Sequence, residues 1–214
     1  MKRAVLFLNG NTPPQDLVFK SVKTTDTIIC ADGGAKHVIE AGLTPHVIVG
    51  DLDSLPQVLQ KRLRKLPIEW AIYPADKNFT DSELAMQYVL EKGYSEIVIL
   101  GFFGDRSDHV QANILLLATI VQKNPKCRIL VADENQSLYF ISSGGLTLEG
   151  KKGQTISLLP LITDAEGVVT TGLRWKLRIE TLVCGATRGV SNEFSGKKAS
   201  IALVHGVLLV ITQK

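Results

Sequence analysis

Six short apolar runs, most of them separated by amphipathic stretches, dominate the first 135 residues. They are Ala4–Leu8, Thr27–Ala31, His46–Val49, Glu69–Tyr73, Glu96–Leu100 and Arg128–Ala132. Each is continuous or nearly continuous in apolar residues, as a strand covered on both faces must be. The stretches between them carry helix punctuation. Ala35–Ala41 stops at Gly42 with Pro45 beyond it, Thr80–Lys92 opens on the capping box Thr80-x-x-Glu83 and closes at Gly93, and Asp108–Lys123 runs into Asn124-Pro125. Leu55–Leu66 is a further helical stretch, which Asp53 or Ser54 is placed to cap. Strand and helix in alternation predict an α/β domain with a mostly parallel sheet, Rossmann-like and three-layered, over residues 1–135.

The pattern then changes. After about Ser137 no helical period survives, and short β-rich runs appear at Leu138–Ile141, Thr155–Leu159, Gly167–Thr171, Leu177–Val183 and Ser200–Ile211. Lys176–Glu180 alternates polar and apolar, which suits a sheet wet on one face. Ser200–Val204 and Val207–Ile211 read as a hairpin joined at His205-Gly206. A small antiparallel β domain over residues 136–214 is the expectation.

Composition excludes several classes. Of the 214 residues, 45% are hydrophobic and 21% charged, and the net charge is +3, too small for a nucleic-acid surface. Cys30, Cys127 and Cys184 lie far apart, with no metal-ligand spacing, and fit reduced thiols in the cytoplasm. The apolar run at the N-terminus ends at Asn9-Gly10-Asn11, too short for a secretory leader, and no stretch approaches the ~20 apolar residues of a membrane span.

Acidic residues gather after the strands: Asp32 after the second, Asp51 and Asp53 after the third, Asp105 and Asp108 after the fifth. Parallel strands end on one edge, where α/β proteins bind ligands. Asp32-Gly33-Gly34 before a helix reads either as a phosphate seat or as a tight turn. Asp51-x-Asp53 on an extended turn offers hard oxygen ligands for Mg²⁺, or a cap for the next helix. In the segment Asp76–Asp81, Thr80 reads as a cap and Asp81 favours the helix dipole or joins the other acids. Arg106 has the fork that pairs with phosphate, while Asp108 and His109 are equally placed for a helix start. Gln111 and Asn113 are polar positions on an otherwise apolar helix and read equally well as solvent-facing. There is neither a GxxxxGK[ST] loop nor a GxGxxG after the first strand. A rim this acidic accepts ATP only if a divalent cation reverses the local sign.

These residues resemble thiamine pyrophosphokinases. The likeness rests on ADGGA at Ala31–Ala35, IVGDLDS at Ile48–Ser54, Thr80-Asp81, DRSDH at Asp105–His109, GLRW at Gly172–Trp175 and SNEF at Ser191–Phe194, and runs from about Asn9 to the C-terminus. The resemblance implies Mg²⁺-dependent transfer of pyrophosphate from ATP to the thiamine hydroxyl, giving thiamine diphosphate and AMP. It implies an α/β catalytic domain, a thiamine-binding β-sandwich domain and a cytoplasmic homodimer with thiamine between subunits. Asp51, Asp53 and Asp81 would be catalytic metal ligands and Asp108 a further catalytic residue. Asp32, Gly33, Gly34, Thr80 and Arg106 would face the nucleotide; Trp175, Ser191 and Asn192 would face thiamine. Two positions depart from the family pattern: Asn78 replaces an acid, and Asp105 replaces a glycine. Two rival readings remain. Asp51-x-Asp53 also resembles the nucleophile of haloacid-dehalogenase-type phosphatases, although that family places it after the first strand, and a non-catalytic thiamine or nucleotide sensor would share the binding residues.

Overall fold

The computed structural model describes residues 2–74, 76 and 78–214; Met1, Ala75 and Lys77 lie outside the described residues. The chain divides into two compact units, residues 1–113 with 131–134, and residues 114–130 with 135–214.

In the first unit, strands β1 (Arg3–Phe7), β2 (Thr27–Ala31), β3 (Val47–Gly50), β4 (Glu69–Ile72) and β5 (Glu96–Leu100) form a parallel sheet in the order β4-β3-β2-β1-β5. Its three central strands are almost wholly buried, which explains why they read as unbroken apolar runs. Helices α1 (Gln15–Ser21), α2 (Ala35–Glu40), α3 (Gln57–Leu63) and α4 (Asp81–Glu91) connect the strands, and α5 (Ser107–Lys123) follows β5. Helix α4 packs on β2 and β3. Thr80 caps it as the capping box predicts, its Oγ1 accepting from the Glu83 N–H at 3.2 Å.

Helix α1 was not legible in the sequence. It is seven residues long, follows Pro13-Pro14 and buries only Leu17 and Val18, so it shows no sustained period. Helix α3 begins later than expected. Pro56 occupies its N-cap position and no side chain caps it, so neither Asp53 nor Ser54 serves that role. Strand β6 (Arg128–Ala132) follows α5.

The second unit contains β7 (Gln136–Ile141), β8 (Gly144–Glu149), β9 (Thr155–Thr171), β10 (Arg178–Leu182), β11 (Asn192–Glu193), β12 (Lys198–Leu203) and β13 (His205–Gln213). Their pairings with one another are antiparallel. The 17-residue β9 unites two runs that the sequence separates. Pro160 and the polar Thr163-Asp164 interrupt the pattern, and Ile162 takes a left-handed φ of 69°. Its first half pairs with β11 and most of β13, its second half with β10, β12 and, at Glu166, the start of β13.

The expected hairpin between the last two strands is corrected. Strand β9 lies between β12 and β13, which do not pair with each other. The link is built for close approach rather than for a hairpin turn: Gly206 has φ 92°, and a Cβ there would fall on the Asp164 carbonyl. The core of this unit draws on most of its long strands, with Phe194, Ile156, Leu158, Val168, Ile201, Leu208 and Val210 fully buried.

Candidate active site

The loops after β1, β2, β3 and β5 build the site. Leaving β2, the chain enters a single 3-10 turn, Asp32–Gly34, and Asp32 takes a φ of 41°. Asp32 is 2% exposed. Its Oδ2 accepts from the Ser54 N–H at 3.1 Å, while its Oδ1 is buried with no hydrogen-bond partner. Burial raises its pKa, and the nearby Asp81 charge adds to the rise.

After β3 the turn Asp51-Leu52-Asp53 carries a second left-handed residue, Leu52, at φ 70°. A branched side chain in that region costs about 1–2 kcal/mol. Leu52 is nonetheless buried, so its side chain turns inward. The flanking acids meet one another: the Asp53 N–H donates to Asp51 Oδ1 at 3.2 Å, and Ser54 Oγ donates to Asp53 Oδ1 at 2.9 Å. Ligand oxygens of Asp32, Asp51 and Asp53 all lie within 4.8 Å of one another. Three carboxylates so close together offer hard oxygen donors that fit a divalent cation such as Mg²⁺.

Asp81, in the first turn of α4, approaches from another side. A Cβ on Gly50 (φ 142°) would meet Asp81 Oδ1 at 2.9 Å and Asp32 Cβ at 3.0 Å. Only glycine lets these two acids close on the end of β3. Asp81 is not within the tight Asp32–Asp51–Asp53 group but faces the same strand end.

Beside the acids is a cavity of about 530 Å³. Asp32, Thr80, Asp81, Asp105, Arg106 and His109 contribute to its wall, as does the Asn9-Gly10-Asn11 turn after β1. Arg106 is held by Asp108, with Nε to Oδ1 at 3.2 Å and Nη2 to Oδ2 at 2.6 Å. This partner pulls the Asp108 carboxyl down to about 2. Asp108 lies inside the first turn of α5 and does not line the cavity. Asp51 and Asp53 also stand outside its wall, as do Gly33 and Gly34. The two glycines are buried for packing: a Cβ at Gly33 would fall on the Asn9 side chain, and one at Gly34 on the Phe7 carbonyl.

Sequence reasoning overlooked the Asn9–Asn11 turn and His37. Gly10 and Asn11 bond to Gly101 and Phe103, and His37 Nε2 bonds to the Gly10 carbonyl at 3.0 Å. His37 is buried and its pKa is lowered by desolvation, so the neutral ring donates from Nε2. The signal was Asn-Gly-Asn at the end of the first strand, which reads only as a run terminator without knowledge of what lies beside it.

Within the second unit, Trp175 is 53% exposed with the Arg174 guanidinium 4.6 Å from its ring, so it is not a core residue. Asn192 is buried and spends its carboxamide on the backbone of Trp175, accepting from its N–H at 3.1 Å and donating to its carbonyl at 2.7 Å. Ser191 is exposed with φ 59° and bonds through its N–H to Ser157 Oγ. Asn192 therefore supports the segment that displays Trp175.

Comparison with known proteins identifies the family. The family model "Thiamin pyrophosphokinase, catalytic domain" matches residues 19–130, and "Thiamin pyrophosphokinase, vitamin B1 binding domain" matches residues 145–208. The chain belongs to the thiamin pyrophosphokinase family. A thiamine pyrophosphokinase of Bacillus subtilis is 30% identical over 184 residues, covering 86% of this chain and 85% of that protein. The crystal structure of a thiamine pyrophosphokinase from the same organism superposes with a TM-score of 0.86 at 27% identity, covering 100% of this chain and 99% of that one. The Geobacillus thermodenitrificans thiamin pyrophosphokinase structure gives a TM-score of 0.82 at 25% identity, covering 100% and 98%.

Proposed function

We propose that the acids after β2 and β3, with the cavity beside them, form the pyrophosphoryl-transfer site of a thiamine diphosphokinase. The activity itself follows from family membership: the enzyme makes thiamine diphosphate from thiamine. ATP as donor, Mg²⁺ as cofactor and the roles of individual residues are the finer part of the proposal. The observation that carries them is the convergence of Asp32, Asp51 and Asp53 oxygens within 4.8 Å, with Asp32 Oδ1 buried and unpartnered.

On this reading Asp32, Asp51 and Asp53 hold Mg²⁺ and Asp81 supports them. When bound, the metal supplies positive charge that offsets the phosphates. Arg106 exchanges its exposed pair with Asp108 for a phosphate oxygen, which its fork accommodates equally well. The thiamine hydroxyl attacks the β-phosphorus and AMP leaves. Such transfer depends on positioning and charge neutralisation more than on covalent help. Trp175, exposed on a segment held by Asn192, offers an aromatic face to a thiazolium or aminopyrimidine ring.

The reading also includes a Rossmann-like three-layer catalytic domain (residues 1–135), a β-sandwich thiamine domain (residues 136–214), a homodimer and a cytoplasmic location. The two halves of β9 pairing with different strands support the sandwich. Sedimentation at equilibrium tests the dimer, and a monomer at micromolar concentration would refute it. Incubation with ATP, Mg²⁺ and thiamine tests the chemistry. Thiamine diphosphate and AMP should form in equal amounts, and ADP as the main nucleotide product would refute pyrophosphoryl transfer.

A further inference from the structure

The proposed chemistry uses the acids, Arg106 and Trp175 but leaves Asn113 without a task. Asn113 lies on α5 and is 8% exposed. The next inward positions of the same helix are Leu117, Ala118, Ile120 and Val121, all buried and apolar. Asn113 lines the cavity with Phe102 and Val110, and its carboxamide has no hydrogen-bond partner among the described residues. Neither of its polar atoms is among the fully enclosed orphans. A nearly buried amide without a partner is costly, and a leucine would serve packing better.

A carboxamide offers an acceptor and two donors side by side. Its natural complement is a ring edge with an exocyclic amine next to an unprotonated ring nitrogen, the pairing by which asparagine reads adenine. Phe102 and Val110 supply apolar flanks for such a ring. Much of the remaining wall is ionic or hydroxylic, through Asp32, Asp81, Asp105 and Arg106, and has no use for a neutral heterocycle.

We propose that Asn113 is a specificity-determining residue that reads the amino-and-ring-nitrogen edge of a substrate heterocycle. This rests on the function proposed above. Both substrates carry that edge, ATP in its adenine and thiamine in its aminopyrimidine, and the experiment separates them.

Asn113→Leu and Asn113→Asp are compared with the wild type by calorimetric titration with AMP and with thiamine separately, each with Mg²⁺ present. Asn113→Leu should weaken one ligand at least tenfold and the other less than twofold, and the weakened ligand identifies the source. If the source is adenine, Asn113→Asp should also shift turnover from ATP toward GTP, because guanine presents ring and amino N–H donors to a carboxylate. If the source is thiamine, the ATP-to-GTP ratio should stay unchanged while thiamine binding falls. Folded variants that bind both ligands within twofold of wild type would overturn the assignment, and so would loss of the fold in both, which would make Asn113 a packing residue. A wild type that binds neither ligand and forms no product sinks the functional reading instead.

Discussion

Asp32 carries the local cost of a buried carboxylate. Its carboxylate is desolvated, faces Asp81 and keeps one oxygen unpartnered. A pKa raised in the folded state means that ionisation costs folding free energy. The contribution is favourable below the unfolded pKa and is lost as pH rises through the folded one. Asp32→Asn should therefore raise the Tm of the metal-free protein at pH 7, with the gain shrinking as pH falls below the carboxylate range, while turnover collapses. Thermal melts at several pH values check this, and a lower Tm at pH 7 would contradict the account. Asp53 differs, because it is exposed and caps nothing. Asp53→Asn should leave the melting curve within about 0.5 kcal/mol of wild type, yet reduce turnover by orders of magnitude; an active variant would remove Asp53 from the metal set. At this scale the sequence revealed the acids through their position after strands. It did not reveal that Gly50 spaces Asp32 from Asp81, because a glycine's role depends on what stands opposite its missing Cβ.

Among the elements, the central strands and α4 were legible because burial on both faces and a capping box leave local marks. Helix α1 and strand β8 were not, being short and lacking a clear period. The order of β12, β9 and β13 was hidden for a different reason: strand pairing is set by contacts far apart in sequence, and His205-Gly206 looks like any hairpin turn. The segment carrying Trp175 depends on Asn192, whose carboxamide closes two bonds to its backbone. Asn192→Ala should cost about 1–3 kcal/mol and loosen Trp175, so both the Tm and thiamine affinity should fall, measured by denaturation and by titration. Unchanged stability would show that those bonds carry little weight.

For the whole molecule, charge is distributed against its average. The chain carries +3, yet Asp32, Asp51, Asp53 and Asp81 crowd one sheet edge. A cation that binds only the folded state at a hundred times its Kd adds about 2.7 kcal/mol, and for a chain of this size each kcal/mol moves Tm by roughly 2–4 °C. Mg²⁺ should therefore raise the Tm by several degrees in wild type and by much less in Asp53→Asn, with EDTA reversing the shift. Equal shifts in both would place the cation elsewhere. No helix among the described residues is long and apolar enough to cross a membrane.

Leu52 joins the protein's interior to its chemistry. The left-handed turn sends this side chain inward and leaves Asp51 and Asp53 on either side of it. The spacing of the two acids is thus set in part by a buried hydrocarbon side chain. Leu52→Ala should cost about 2–4 kcal/mol, but its more telling effect should be weaker Mg²⁺ binding, seen as a higher metal concentration for half-maximal rate with all carboxylates intact. If these acids hold the proposed cation, a lineage of such enzymes can adjust its metal requirement to a changed cellular supply by drift in packing residues alone, leaving every ligand in place.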